Sequence, residues 1–323
     1  MARRFLAVLA VALALLQAAS AKSWLDKRFN TDGTVRTGYD ASGQEVVMLN
    51  LNQQSGAAGF NSKEQFLYGR VSPLVPIQSR TETNVGIGPG SAMVLVSAPV
   101  GPRPVYDSDV DVCESKKPTD PIANRKWINM SGGGVQLSSG DDEWRDEIDM
   151  EFMGNSSGHP VVLNTNVWAN GDGKKEHQFD LWFDPAADYH TYTIIWNPEN
   201  ILFKVDNLFI RSFKRFGGLP YPSSKPMRLH ATLWDGSYWA TEKGKIPINW
   251  SNAPFVVSYR NFYANACVSG GACHAGSDSW MKKQLDGAEW GTVKWAERSY
   301  MRYNYCDDGY RFPQGLPAEC SRY

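Results

Sequence analysis

Residues 145–151 read Arg145-Asp146-Glu147-Ile148-Asp149-Met150-Glu151, and their alternation decides the fold. Side chains on a β-strand point to opposite faces in turn. Glu147, Asp149 and Glu151 therefore share one face, and Ile148, Met150 and Phe152 share the other. A strand that is apolar on one side lies over a core. Three carboxylates in a row on the other side repel one another unless something uses them. A solvated edge strand and a calcium site are the plain alternatives; the three alternate apolar residues favour the floor of a cleft.

Paired carboxylates are the equipment of glycoside hydrolysis, one as nucleophile and one as proton donor, roughly 5–5.5 Å apart in a retaining enzyme. Positions i and i+4 on a straight strand lie about 13 Å apart at Cα, so long Glu side chains must lean together to close the gap. An Asp between them can share a proton or hydrogen bond with the nucleophile and separate the two Glu pKa values.

Working outward, short strand-sized runs recur at 46–51, 161–167, 192–196, 202–205, 227–233 and 255–259, separated by Gly, Asn, Ser and Pro. No long amphipathic helix interrupts them, although 293–303 can form a short one. The pattern predicts an all-β sandwich. Arg3 and Arg4 followed by the apolar run 5–16 and Ala19-Ser20-Ala21 read as a secretory signal over 1–21; a membrane anchor is the alternative, but the run is short for one. Removing 1–21 takes two basic residues from the chain's 33 against 34 acidic ones, leaving 31 against 34. That balance argues against nucleic acid as a partner. A soluble extracellular protein, monomeric and not bound to membrane, is expected.

Five cysteines in a secreted chain leave one unpaired. Cys267 and Cys273 are close enough for one small loop, and Cys306 and Cys320 could close another. Asn155-Ser156-Ser157, Asn249-Trp250-Ser251 and Asn129-Met130-Ser131 all fit the N-glycosylation triplet; Asn155 has the most support. The five His show no metal-ligand spacing, and no cofactor or metal is expected. Twelve Trp offer sugar-stacking faces, although many will be core.

The stretch Asp146-Glu147-Ile148-Asp149-Met150-Glu151-Phe152 resembles the active-site strand of family 16 glycoside hydrolases. Gly154-Asn155-Ser156-Ser157-Gly158, Leu163-Asn164-Thr165-Asn166-Val167, Leu181-Trp182-Phe183-Asp184-Pro185, Trp196-Asn197-Pro198 and Ser258-Tyr259-Arg260-Asn261-Phe262 are similar to stretches of the plant xyloglucan endotransglucosylase/hydrolases within that family. The resemblance covers 22–70 and 137–323. It implies a curved jelly-roll β-sandwich with a glycan cleft on the concave face over 22–262, and a disulfide-bonded C-terminal extension with a helix over 263–323. It also implies the pairings Cys267–Cys273 and Cys306–Cys320, leaving Cys113 odd, and a place in the cell wall or apoplast.

By the same resemblance Glu147 is the nucleophile, Glu151 the general acid/base and Asp149 the helper. Asn164, Thr165 and Asn166, the stretch Lys174, Lys175 and Glu176, the pair Tyr238 and Trp239, then Gly244 and Arg311, are substrate-binding positions. Lys174 and Lys175 depart from the family's usual Asn-Arg, Tyr238 from its usual Asp, and Gly244 sits one position off. Arg145 stands where many relatives have His; a cation there favours ionised carboxylates. The implied activity is cleavage and religation of xyloglucan chains, with the polymer and its oligosaccharides as partners. A glycan-binding wall protein without turnover, and a hydrolase of xyloglucan or mixed-linkage glucan, remain alternatives.

Residues 71–136 stand apart, with scattered Pro and Gly, Cys113 and few strand patterns. The resemblance implies a connection about a third as long that carries two cleft-lining strands. Val71-Ser72 and Val135-Gln136 can be encoded as the edges of an intron, so a read-through in place of an exon would account for the segment; a genuine long surface loop is the alternative. The expectation is an irregular segment outside the sandwich, with two strands missing beside Glu147.

Overall fold

The structure, a computed structural model, describes residues 23–40, 43–75, 77–78, 133–153, 161–236, 248–274 and 276–322. Two eight-stranded antiparallel sheets form a jelly-roll sandwich. Numbered along the chain, the first sheet has the order β1 (Phe29–Asp32), β4 (Ala58–Ser62), β14 (Arg228–Leu233), β7 (Gly133–Ser138), β8 (Glu147–Met153), β9 (Val162–Trp168), β10 (His177–Asp180), β16 (Met301–Asn304). The second has the order β13 (Leu208–Lys214), β12 (Asn200–Val205), β11 (His190–Trp196), β5 (Phe66–Val75), β15 (Phe255–Val268), β3 (Glu45–Leu51), β2 (Val35–Tyr39), with β6 (Ile77–Gln78) paired to β15 off this path.

The core lies where the apolar faces of the two sheets meet. Ile148, Met150 and Phe152 of β8 are buried there with Leu137 and Val135 of β7, and with Tyr192, Ile194 and Trp196 of β11. A second cluster covers the outer face of the second sheet: Ile195, Leu202 and Phe209 pack against Trp280 and Val293 of the C-terminal extension. The alternation that buries Ile194 and Trp196 inward thus points Ile195 outward, and the extension makes that outward residue a core residue too.

The expected C-terminal helix forms at Gly287–Tyr300, not at 293–303. Asp286 accepts from the Glu289 N–H at 2.9 Å and Glu289 accepts from the Asp286 N–H at 3.0 Å. This reciprocal capping box starts the helix six residues before Val293, where the sequence places its beginning. At the other end 301–303 continue as β16, which joins the first sheet beside β10. The extension is therefore part of the sandwich, and β15 runs unbroken across 262–263, where a boundary was expected. The bridges Cys267–Cys273 and Cys306–Cys320 are formed.

The expectation for 71–136 needs correction at both ends. β5 continues through 71–75 against β11 and β15. β7 begins at Gly133 and pairs with β8 on one side and β14 on the other. Strands are therefore present on both sides of Glu147. Residues 79–132, with Cys113 and Asn129, lie outside the described residues, as do residues 1–21, expected to be a secretory signal, and Asn155.

Among the described residues, which leave out 79–132, both sheets have unbroken hydrogen-bonded orders. Replacing that stretch by about twenty polar, Gly-rich residues, long enough for an ordinary connection, should leave the melting temperature within a few degrees of the parent. Insoluble protein, or a large fall in melting temperature, would mean that the stretch carries part of the fold.

Candidate active site

Strand register builds the site. Glu147 lies opposite Ser138 and Trp168, Asp149 opposite Gln136 and Asn166, and Glu151 opposite Gly134 and Asn164. Directly opposed residues share a face, so the rows extend across four or more strands. His230 of β14 continues the row of Gln136, and Gln178 of β10 continues that of Asn164. Gly134 is required by a close approach: a Cβ there would sit 2.5 Å from the Met150 carbonyl oxygen and 3.0 Å from the Cα of Glu151.

Each outer carboxylate has its own donors. Arg145 Nε donates to Glu147 Oε2 at 3.2 Å, and Gln136 Nε2 reaches the same oxygen at 3.4 Å. Asn164 Nδ2 donates to Glu151 Oε2 at 2.9 Å. Asp149 is 3 % exposed. Burial pushes its pKa well above the usual carboxylate range, and Glu151 and Glu147 push it further, against the Arg145 cation. Burial likewise raises Glu151 to about 7, opposed by the Asn164 bond and assisted by Glu147 and Glu176. Burial and the two neighbouring carboxylates thus favour the neutral form of Asp149.

The remaining sequence-derived residues divide. Asn164 is in the site. Asn166 shares its face, but its Oδ1 accepts from the N–H groups of Val167 and Lys175 at 2.9 and 3.0 Å, so it braces the 169–175 turn. Thr165 does not join them. It lies opposite Met150, on the core face, and its hydroxyl takes a 2.8 Å bond from the buried Arg211 of the opposite sheet. Lys175 is also buried, its ammonium 3.0 Å from Glu319 and 2.9 Å from Asp172, which leaves it unavailable to a sugar. Lys174 is exposed. Glu176 is near enough to raise Glu151 and Asp149, and Arg311 holds it with two bonds of 2.7 and 2.9 Å. Tyr238, Trp239 and Gly244 lie outside the described residues.

Sequence reasoning missed Gln136, Trp168, His230 and Gln178. The two-residue period would have supplied Trp168, which follows Asn164 and Asn166 on one face, and would have excluded Thr165. Gln136 was hidden at the end of the atypical segment.

A family model described as glycosyl hydrolases family 16 matches residues 132–252, and one described as xyloglucan endo-transglycosylase C-terminus matches 275–320. A rice protein, xyloglucan endotransglycosylase/hydrolase protein 8, is 48% identical, with 97% of this chain and 96% of that protein covered. The chain belongs to the xyloglucan endotransglucosylase/hydrolase family. Within the same family, putative xyloglucan endotransglucosylase/hydrolase protein 13 of Arabidopsis thaliana is 38% identical over 97% of this chain and 96% of its own. Xyloglucan endotransglucosylase protein 7 of Diospyros kaki is 46% identical over 85% and 89%. Family membership makes the chain an enzyme of glycosyl transfer or hydrolysis, and the carboxylate row is the place to look for its chemistry.

Two measurements test this geometry. Lys175→Ala should destabilise the fold by about 3 kcal/mol, because it leaves the buried Glu319 carboxylate without its cation, whereas Lys174→Ala should change stability by less than about 0.5 kcal/mol. Equal effects in urea titrations would contradict the buried pair. For Glu151, the folded pKa lies above the ordinary glutamate value of 4.5. Its contribution to stability is therefore fully present below pH 4.5 and lost as pH rises through about 7. Glu151→Gln should flatten part of that decline in melting temperature; a variant declining as steeply as the parent would count against the raised pKa.

Proposed function

We propose that this chain cleaves and religates xyloglucan by a retaining double displacement, with Glu147 as nucleophile and Glu151 as general acid/base. The observation that carries the reading is the division of labour along β8. Glu147 is paired with a cation, while Glu151 is half-buried beside an amide and keeps a proton up to about pH 7. A nucleophile needs the charged form and a proton donor the neutral one, so the two environments fit two roles.

In the first step Glu147 attacks the anomeric carbon while Glu151 protonates the departing glucosyl oxygen. In the second, Glu151 takes the proton of the incoming hydroxyl as its oxygen displaces Glu147. A sugar hydroxyl gives transglycosylation and water gives hydrolysis. Asp149 stands between them, and burial, which favours its neutral form, limits the negative charge it adds. Asn164 positions Glu151. The Arg311–Glu176 pair holds a carboxylate close to Glu151 while offsetting its charge.

The names of the relatives support xyloglucan as the polymer and its oligosaccharides as acceptors, and the same relation supports a place in the plant cell wall outside the cell. Among the described residues no helix is long and apolar enough to cross a membrane. The glycosylation of Asn155 and a monomeric state belong to the same proposal. A glycan-binding role without turnover has no use for a proton-holding Glu151.

Incubating the protein with xyloglucan and a labelled xyloglucan oligosaccharide should incorporate label into polymer faster than new reducing ends appear. Glu147→Gln should lower that rate by at least a hundredfold while polymer binding persists. New reducing ends without incorporation would assign a hydrolase, and retained turnover in Glu147→Gln would remove Glu147 as nucleophile. Above the Glu151 limb near pH 7, first-step rates should fall about tenfold per pH unit.

A further inference from the structure

Both donors to Glu147 fall on one oxygen. Arg145 Nε and Gln136 Nε2 reach Oε2, and among the described residues no side chain bonds Oε1. Arg145 is itself fixed. Its guanidinium carbon lies 4.3 Å from the centroid of the Trp168 ring. The indole has Gly173 against it, where a Cβ would come within 2.2 Å of the ring carbons. The backbone of Arg145 is tied at both ends, its N–H to the Asp142 carbonyl at 3.2 Å and its carbonyl to the Gly171 N–H at 3.0 Å. Trp168 and Glu147 are register partners. A cation stacked on an aromatic face loses little freedom when it makes a directed bond.

We infer that Arg145, held on Trp168, is a positioning residue that pins Glu147 Oε2 and so reserves Oε1 as the attacking atom, assisting both displacements. This rests on the reading of Glu147 as nucleophile. In the first displacement Oε1 bonds to the anomeric carbon, and the electron pair of the breaking bond goes to the departing oxygen, which receives the Glu151 proton. Oε2 becomes the carbonyl oxygen of the ester, still facing Arg145 and Gln136. In the second, the acceptor oxygen bonds to the anomeric carbon and its proton passes to Glu151. The electron pair of the breaking C–Oε1 bond returns to Glu147. The departing group of that step is the carboxylate, and its charge regrows beside the Arg145 cation, so the clamp acts where charge develops.

The test is the kinetics of Arg145→Ala with a xylogluco-oligosaccharide donor carrying an activated aryl leaving group, alongside the natural polymer. The clamp requires kcat to fall roughly 30- to 100-fold with KM changed by less than about threefold. The loss should persist with the activated donor, because it does not act through Glu151. Arg145→Lys should recover part of the rate, and added guanidinium at tens of millimolar part of that lost in Arg145→Ala. Arg145→Gln carries the same expectation should the alanine variant fail to fold. A kcat within twofold of the parent, a loss confined to KM, or a loss abolished by the activated donor would overturn the clamp. Trapping the parent with a 2-fluoro donor and mapping the labelled peptide separates the two claims. Label on a residue other than Glu147 removes the underlying reading, whereas label on Glu147 with an unimpaired Arg145→Ala removes the clamp alone.

Discussion

The two-residue period of a pleated strand is the constraint from which the rest of this molecule follows. β8 must bury Ile148, Met150 and Phe152, and in doing so it presents Glu147, Asp149 and Glu151 on the opposite face. A one-residue slip would exchange the two sets, sending three acids into the core and three large apolar side chains to the cleft. Catalytic geometry and hydrophobic burial therefore stabilise the same register. The strands on either side inherit it, which is why Gln136, Asn164, Asn166 and Trp168 all arrive at the carboxylate row.

Burial on both sides of that row creates the electrostatic problem that the site then uses. Burial raises the pKa of the middle acid, Asp149, most of all, and the two carboxylates beside it raise it further. Donors at the two ends differ in kind: a guanidinium for Glu147 and an amide for Glu151. A cation favours a charged carboxylate more strongly than an amide does. Two chemically identical side chains thus have different surroundings, with burial raising the pKa of Glu151, and separate assignments of nucleophile and acid become possible on one strand.

Much of this was legible in the sequence, because strand alternation is local. The acid row and the apolar face of β8 follow from residues 145–152, and the sandwich class from the strand-sized runs along the chain. What was not legible depends on distant partners. Lys175 reads as a polar residue next to the cleft, and only the return of the C-terminal turn with Glu319 shows that it is buried. Thr165 sits between two cleft asparagines, and its inward side chain meets an arginine 46 residues away in sequence. The 71–136 segment looked foreign because its composition is irregular, yet its ends carry the strand patterns of β5 and β7. Gln136 was lost with it, although Gly134-Gln136-Ser138 shows the same alternation as the acids it faces.

The C-terminal extension belongs to the site as much as to the scaffold. Lys175 and Glu176 are adjacent on one strand approach, so their side chains point to opposite sides. Each is held by the extension: Lys175 from below by Glu319, Glu176 from above by Arg311. The bridge between Cys306 and Cys320 joins the two segments that supply these partners. Glu176 is also one of the charges that raise the pKa of Glu151. A carboxylate that close would hinder release of the acid's proton more strongly if left bare, and Arg311 offsets part of its charge. The extension thus reaches the surroundings of Glu151 through one ion pair, and the second pair fastens it on the buried side. That coupling explains why a segment with no acid of its own in the catalytic row is folded into the sheet beside it instead of trailing behind.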